Sequence, residues 1–161
     1  MEISLSQMPK QIKNVLTAFI FTATIGFSIG LFFINHTTHF KVKGIEQNYL
    51  GNEEDETADE MLFRKSEREI LTTIHNHITS MSLLFLAVGL IFALTPIAKR
   101  YKWLAIEPFV SLFLTFGSIY FLWKFEWKWI SYVTMISGIA MSTSFYIMVY
   151  FSLQSLLSKK R

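Results

Sequence analysis

No cysteine occurs in this chain, and that one absence removes disulfides, thiolate metal centres, c-type haem attachment and thiol redox chemistry together. Proline is nearly as scarce, at three residues, and Pro96 and Pro108 fall near expected helix ends, where they interrupt least. Charge is missing from long tracts. Val15 to Ile34, Ile70 to Ala98 and Ile130 to Ser158 contain none, and Trp103 to Trp123 contains only Glu107. Also missing are a Ser-His-Asp order, an HExxH pair, a phosphate loop and paired carboxylates within an apolar run. Nothing therefore supports a membrane-embedded enzyme. A transporter is disfavoured as well, because no midplane polar site or broken helix offers a path.

What is present is apolar: 52% of the residues, with aromatics at 16%, gathered into four blocks. A run of about 20 apolar residues spans the hydrocarbon core as a helix. Backbone groups in lipid must bond within their own segment, which favours helices over the short alternating segments of a small barrel. The sequence predicts an all-α membrane protein, an antiparallel four-helix transmembrane bundle forming one domain. Its helices are expected at about 12–35, 66–97, 102–123 and 128–157, with an acidic outer loop over 36–65. The first run is longer than a signal-peptide core and no small-x-small cleavage site follows it, so it reads as a retained helix.

Charge sets the expected orientation. Lys10 and Lys13, then Lys99, Arg100 and Lys102, then Lys159, Lys160 and Arg161 fall on one side if all four helices cross. The positive-inside rule makes that side cytoplasmic, with both termini inside. The segment between helices one and two then faces outward, carrying five basic residues and nine of the twelve acidic ones. Basic residues concentrate at helix ends, so the net charge of +3 does not point to nucleic acid. Trp103, Trp123, Trp127 and Trp129 sit where interfacial anchors belong. Within the outer loop, Gly51 to Glu56 reads as a solvated acidic stretch. Phe40 to Ile45 alternates like a short extended piece, and Tyr49 and Leu50 can fold back onto the bundle. Ser66 and Glu69 have the spacing of a capping box, which starts helix two above the membrane.

Lipid is as apolar as leucine, so small and hydroxyl residues are the better marker of an inward face. Helix two offers Thr72, His75, Thr79, Ser82, Leu86, Gly89 and Ala93 at heptad spacing. Helix four offers Ser131, Thr134, Gly138, Met141, Phe145, Met148 and Ser152. Helix three offers Glu107, Ser111, Leu114 and Ser118, and helix one a GxxxG pattern at Gly26 and Gly30. Glu107 lies about one turn inside the boundary, within reach of Lys99, Arg100 or Lys102.

All four histidines map to the outer side. On this pattern His75 faces the bundle interior and His77, about 200° around the helix, does not. His36 and His75, on sequential antiparallel helices, are the candidate axial pair for a b-type haem. A transition metal could instead draw on His36, His39, His75, His77 and Glu69, and a His77–Met81 pair at i, i+4 would suit copper. The bland reading weighs against both: histidine is tolerated at interfaces, where its polar tip reaches water. The expected partners are the lipid bilayer and a membrane protein or second copy. A structural or interaction subunit of a larger complex, without cofactor, is the competing function.

Tyr49-Leu50-Gly51 with Lys65-Ser66-Glu67-Arg68-Glu69-Ile70-Leu71-Thr72-Thr73-Ile74-His75-Asn76-His77, running into Ser80-Met81-Ser82, resembles a family of small, uncharacterised four-span bacterial inner-membrane proteins. The resemblance covers the first two helices and the loop. It implies the same multi-pass topology in a bacterial inner membrane and no particular activity.

Overall fold

The computed structural model describes residues 5–53 and 60–158. The acidic residues Glu54, Asp55, Glu56 and Asp59 and the basic Lys159, Lys160 and Arg161 lie outside them. The described residues form an all-helical bundle: α1 Lys10–Thr38, α2 Val42–Leu50, α3 Glu67–Ala93, α4 Glu107–Phe125 and α5 Ile130–Leu157. Four of these, α1, α3, α4 and α5, are long and apolar enough to cross a membrane. Short 3₁₀ turns at Leu5–Gln7, Pro96–Lys99 and Lys102–Ala105 close one end. That end carries the first and last described residues: the Leu5 amide donates to the Leu94 carbonyl at 3.1 Å, and the Lys13 ammonium reaches the Ser158 carbonyl at 3.4 Å. The opposite end, the loop end, carries α2 and the α4–α5 turn.

The closest pair is α4 with α5, and hydroxyls join them. Thr115 Oγ1 lies 2.7 Å from Ser137 Oγ, and Ser118 Oγ lies 2.7 Å from Thr134 Oγ1. Ser118 gives its proton to the Thr115 carbonyl and Ser137 to the Val133 carbonyl, so Thr115 and Thr134 are the interhelical donors. Each such bond in a membrane is worth about 0.6 kcal/mol. They specify register more than they add stability. The α5 seam holds at six of its seven positions: Ser131, Thr134, Met141, Phe145, Met148 and Ser152 are buried, while Gly138 is only half-buried and its neighbour Ser137 is buried instead. On α4, Ser111 and Ser118 are buried as expected, but Leu114 faces out and Thr115 takes its place.

The α3 seam is a correction. Of its seven positions Gly89 is buried as expected and Ser82 is half-buried, but Thr72, His75, Thr79, Leu86 and Ala93 are exposed, while Ile70, Phe85, Val88, Ile91 and Phe92 are buried. Phenylalanines decide this face. Phe27 stacks on Phe145 with ring centres 4.1 Å apart, and Phe85 meets both rings edge-on or tilted at 6.2 Å. Three large rings thus pack together where α1, α3 and α5 meet, in place of a small-residue seam. Gly26 and Gly30 accordingly face outward, with no neighbouring atom near the position of an added Cβ.

Helix α1 is only loosely joined to the rest. Ile20, Phe27 and Thr38 are its buried residues, and Ser28 accepts a hydrogen bond from the Tyr146 hydroxyl at 2.7 Å. Ser28 is free to accept because its own proton goes to the Thr24 carbonyl.

The segment expected to be extended is instead α2. His39 and Phe40 both take the left-handed conformation, with φ of 52° and 50°, and turn the chain sharply out of α1. Gly44 then passes so near Thr38 that an added Cβ would sit 2.0 Å from the Thr38 carbonyl oxygen. Only glycine permits that approach. Ile45, Tyr49 and Leu50 pack on Leu122, Ile130, Val133 and Met135, so the expected fold-back of Tyr49 and Leu50 is present.

Candidate functional site

The loop end is where the chemistry was expected, and its geometry is that of a cap. Gly51, at φ 85°, redirects the chain after α2. Asn52 then closes the return: its Nδ2 donates to the Glu60 carbonyl at 2.8 Å, and its Oδ1 accepts from the Leu62 amide at 2.6 Å. Arg64 forms an ion pair with Glu126 and donates Nη2 to the Trp123 carbonyl at 2.6 Å. Its guanidinium lies 5.7 Å from the centre of the Trp123 ring. Trp123 answers by donating Nε1 to the Lys65 carbonyl at 2.7 Å. These contacts strap the segment before α3 across the α4–α5 turn. Burial beneath the cap pushes the Tyr49 phenol up to about 12.

Sequence reading missed Arg64, Glu126 and the role of Trp123, which is buried rather than a free anchor at the membrane surface. No local pattern marks a tie between residues 59 apart. The other three tryptophans keep interfacial exposure, and Trp127 and Trp129 continue a stacked ladder with Phe121 and Phe125.

None of the four histidines is buried within the bundle. His36 is exposed on the last turn of α1, His39 is exposed at its left-handed cap, and His75 is exposed on α3. Placing His75 inside the bundle was therefore incorrect, because Ile70, Ile74 and Ile78 supply the packed side of that helix stretch. His77 is the one histidine set against a neighbouring helix, with its ring stacked on Phe116 at 4.9 Å. Its Nδ1 donates to the Thr73 carbonyl at 2.8 Å, since a carbonyl oxygen can only accept. Met81, one turn on, is half-buried against the core. Glu69 is occupied in the capping box: the Ser66 amide and hydroxyl both donate to Oε2, at 2.8 and 2.7 Å. Among the described residues, no three His, Asp or Glu side chains are grouped to hold a metal ion.

Glu107 also departs from its expected ion pair. Its Oε1 accepts from the Ser111 hydroxyl, and its Oε2 is buried without a hydrogen-bond partner. Pro108 in the first turn of α4 fixes the helix start there.

A profile of transmembrane helical domains, Aq_1264_TM, matches residues 39–161. No curated protein and no solved structure matches the chain. The matched stretch begins at His39, where α1 ends.

Proposed function

The chain belongs to the Aq_1264_TM family of transmembrane helical domains, and from that premise we propose that it is a non-catalytic interaction subunit of a larger membrane assembly. In this reading α2 to α5 form the anchored unit and α1 is the span given over to a partner transmembrane helix. The observation that carries it is the packing asymmetry. Only 11% of the most apolar stretch of α1 is buried, against 50% for α4. The free side of α1 carries Phe21, Ile25, Ile29, Phe32 and Phe33 without a charge, so the partner surface it suits is apolar. We place both termini in the cytoplasm of a bacterial cell on the strength of Lys10, Lys13, Lys99, Arg100 and Lys102.

Photo-crosslinking residues in native membranes test this. Ile29 and Phe33 on α1 are 62% and 64% exposed, and Phe113 on α4 and Ile136 on α5 are 72% and 67% exposed. Protein adducts are expected at the α1 positions, with lipid adducts alone at the other two. Equal yields of protein adducts at all four would contradict it.

One observation favours a second reading. The carbonyl bond at His77 Nδ1 is the arrangement that orients a ligating imidazole, with Nε2 presented to haem or a transition metal. A Soret band, or metal found by elemental analysis, that is lost in His77→Ala and kept in His75→Ala would support it. A colourless, metal-free protein would remove it.

A further inference from the structure

The terminal end of the bundle is basic in a way the loop end is not. Lys10, Lys13, Lys99, Arg100 and Lys102 gather there from α1 and the α3–α4 connection. The nearest acidic group among the described residues is Glu107, whose carboxylate is turned into the bundle toward Ser111. At the loop end, by contrast, Arg64 has Glu126, and Glu46, Glu60, Glu67 and Glu69 lie among the bases. Outside the described residues the sequence adds Glu2 and the bases Lys159, Lys160 and Arg161 at the termini. Interleaved with Lys10 and Lys13 on the first two turns of α1, Gln11, Ile12, Val15 and Leu16 line a shallow, open groove of about 230 Å³, three of its four residues apolar. Trp103 and Tyr101 stand exposed at the same end, with the Arg100 guanidinium 5.5 Å from the centre of the Tyr101 ring.

We propose that this end selectively binds an anionic phospholipid, its phosphate held among Lys10, Arg100 and Lys102 and an acyl chain laid in the groove along α1. A cluster of bases beside a mostly apolar groove matches an amphiphile with a negative head. An acidic peptide or free phosphate would use the bases and leave the groove empty. Lys13 contributes indirectly, since its ammonium reaches the Ser158 carbonyl at 3.4 Å and ties α1 to the end of α5. Basic residues near an anionic surface favour binding by roughly fivefold each. The site is defined by the bundle's own geometry and holds whichever way the chain is inserted.

Native mass spectrometry of the full-length protein in detergent, titrated with phosphatidylglycerol or phosphatidylcholine, tests it. Phosphatidylglycerol is expected to be retained at least tenfold more tightly, and millimolar inorganic phosphate is expected not to displace it. Lys10→Gln with Arg100→Gln and Lys102→Gln should abolish the preference, while Lys124→Gln with Lys128→Gln at the loop end should leave it intact. Equal retention of the two lipids by the unaltered protein overturns the proposal, and so does a preference that survives the triple substitution. Displacement by phosphate overturns it in favour of a simple anion site. If the triple variant does not fold, the lipid comparison on the unaltered protein and the single Arg100→Gln variant decide, each read in the same way.

Discussion

Arg64 joins parts of the chain that no local pattern connects, and its three contacts differ in weight. The ion pair with Glu126 is between exposed side chains and contributes little, whereas the bond to the Trp123 carbonyl is half-buried and directional. Arg64→Ala is expected to cost about 1 kcal/mol, and Trp123→Phe, which removes the donor to Lys65 together with part of a buried ring, at least as much. Denaturant midpoints in detergent measure both, and no change in either variant would refute the strap. Tyr49 gives a pH-dependent readout of the same cap. Its folded pKa of about 12 exceeds the ordinary 10.0, so its contribution is complete below pH 10 and is lost as pH rises through 12. Phenolate absorbance should show one tyrosine ionising near pH 12 that is absent from Tyr49→Phe. If subtracting the two titrations leaves a step near pH 10, the phenol is not buried beneath the cap.

Elements were read from the sequence with uneven success, for physical reasons. Uncharged length suffices to mark a membrane span, so α1, α3, α4 and α5 were legible directly. The α5 seam was legible because a hydroxyl gains an interhelical bond only on an inward face, as Thr134 does with Ser118; the bond of Ser137 to Thr115 lies on a residue outside the expected seam. The same logic failed on α3, because lipid accepts exposed threonine and histidine once Phe85 and Phe92 occupy the interior. The inward placement of His75 went astray with that seam. Helix α2 was hidden by its short length and by the alternation of its first residues; its signal was the pair Gly44 and Gly51. Gly44→Ala is expected to break the α1–α2 corner, since its Cβ would meet the Thr38 carbonyl at 2.0 Å. Gly26→Ala and Gly30→Ala should leave the thermal stability of the detergent-solubilised monomer unchanged, because nothing lies near either position. Loss of stability in those two would mean that α1 packs by the opposite face.

At the scale of the whole molecule, the bundle is a tightly joined hairpin of α4 and α5, braced by α3, capped by α2 and flanked by a loosely held α1. Its topology is open to a simple check, because the chain has no native cysteine. A cysteine at Asn52 should label from outside the cell and one at Lys160 from inside; the reverse pattern would invert the orientation. The central claim is that α1 is turned toward another membrane helix. The most direct measurement is the mass of the protein extracted from native membranes in lipid nanodiscs without detergent. A mass above that of one chain, reduced to one chain when Ile29 and Phe33 are replaced by lysine, is the expected result. A single chain from the unaltered protein would contradict the claim.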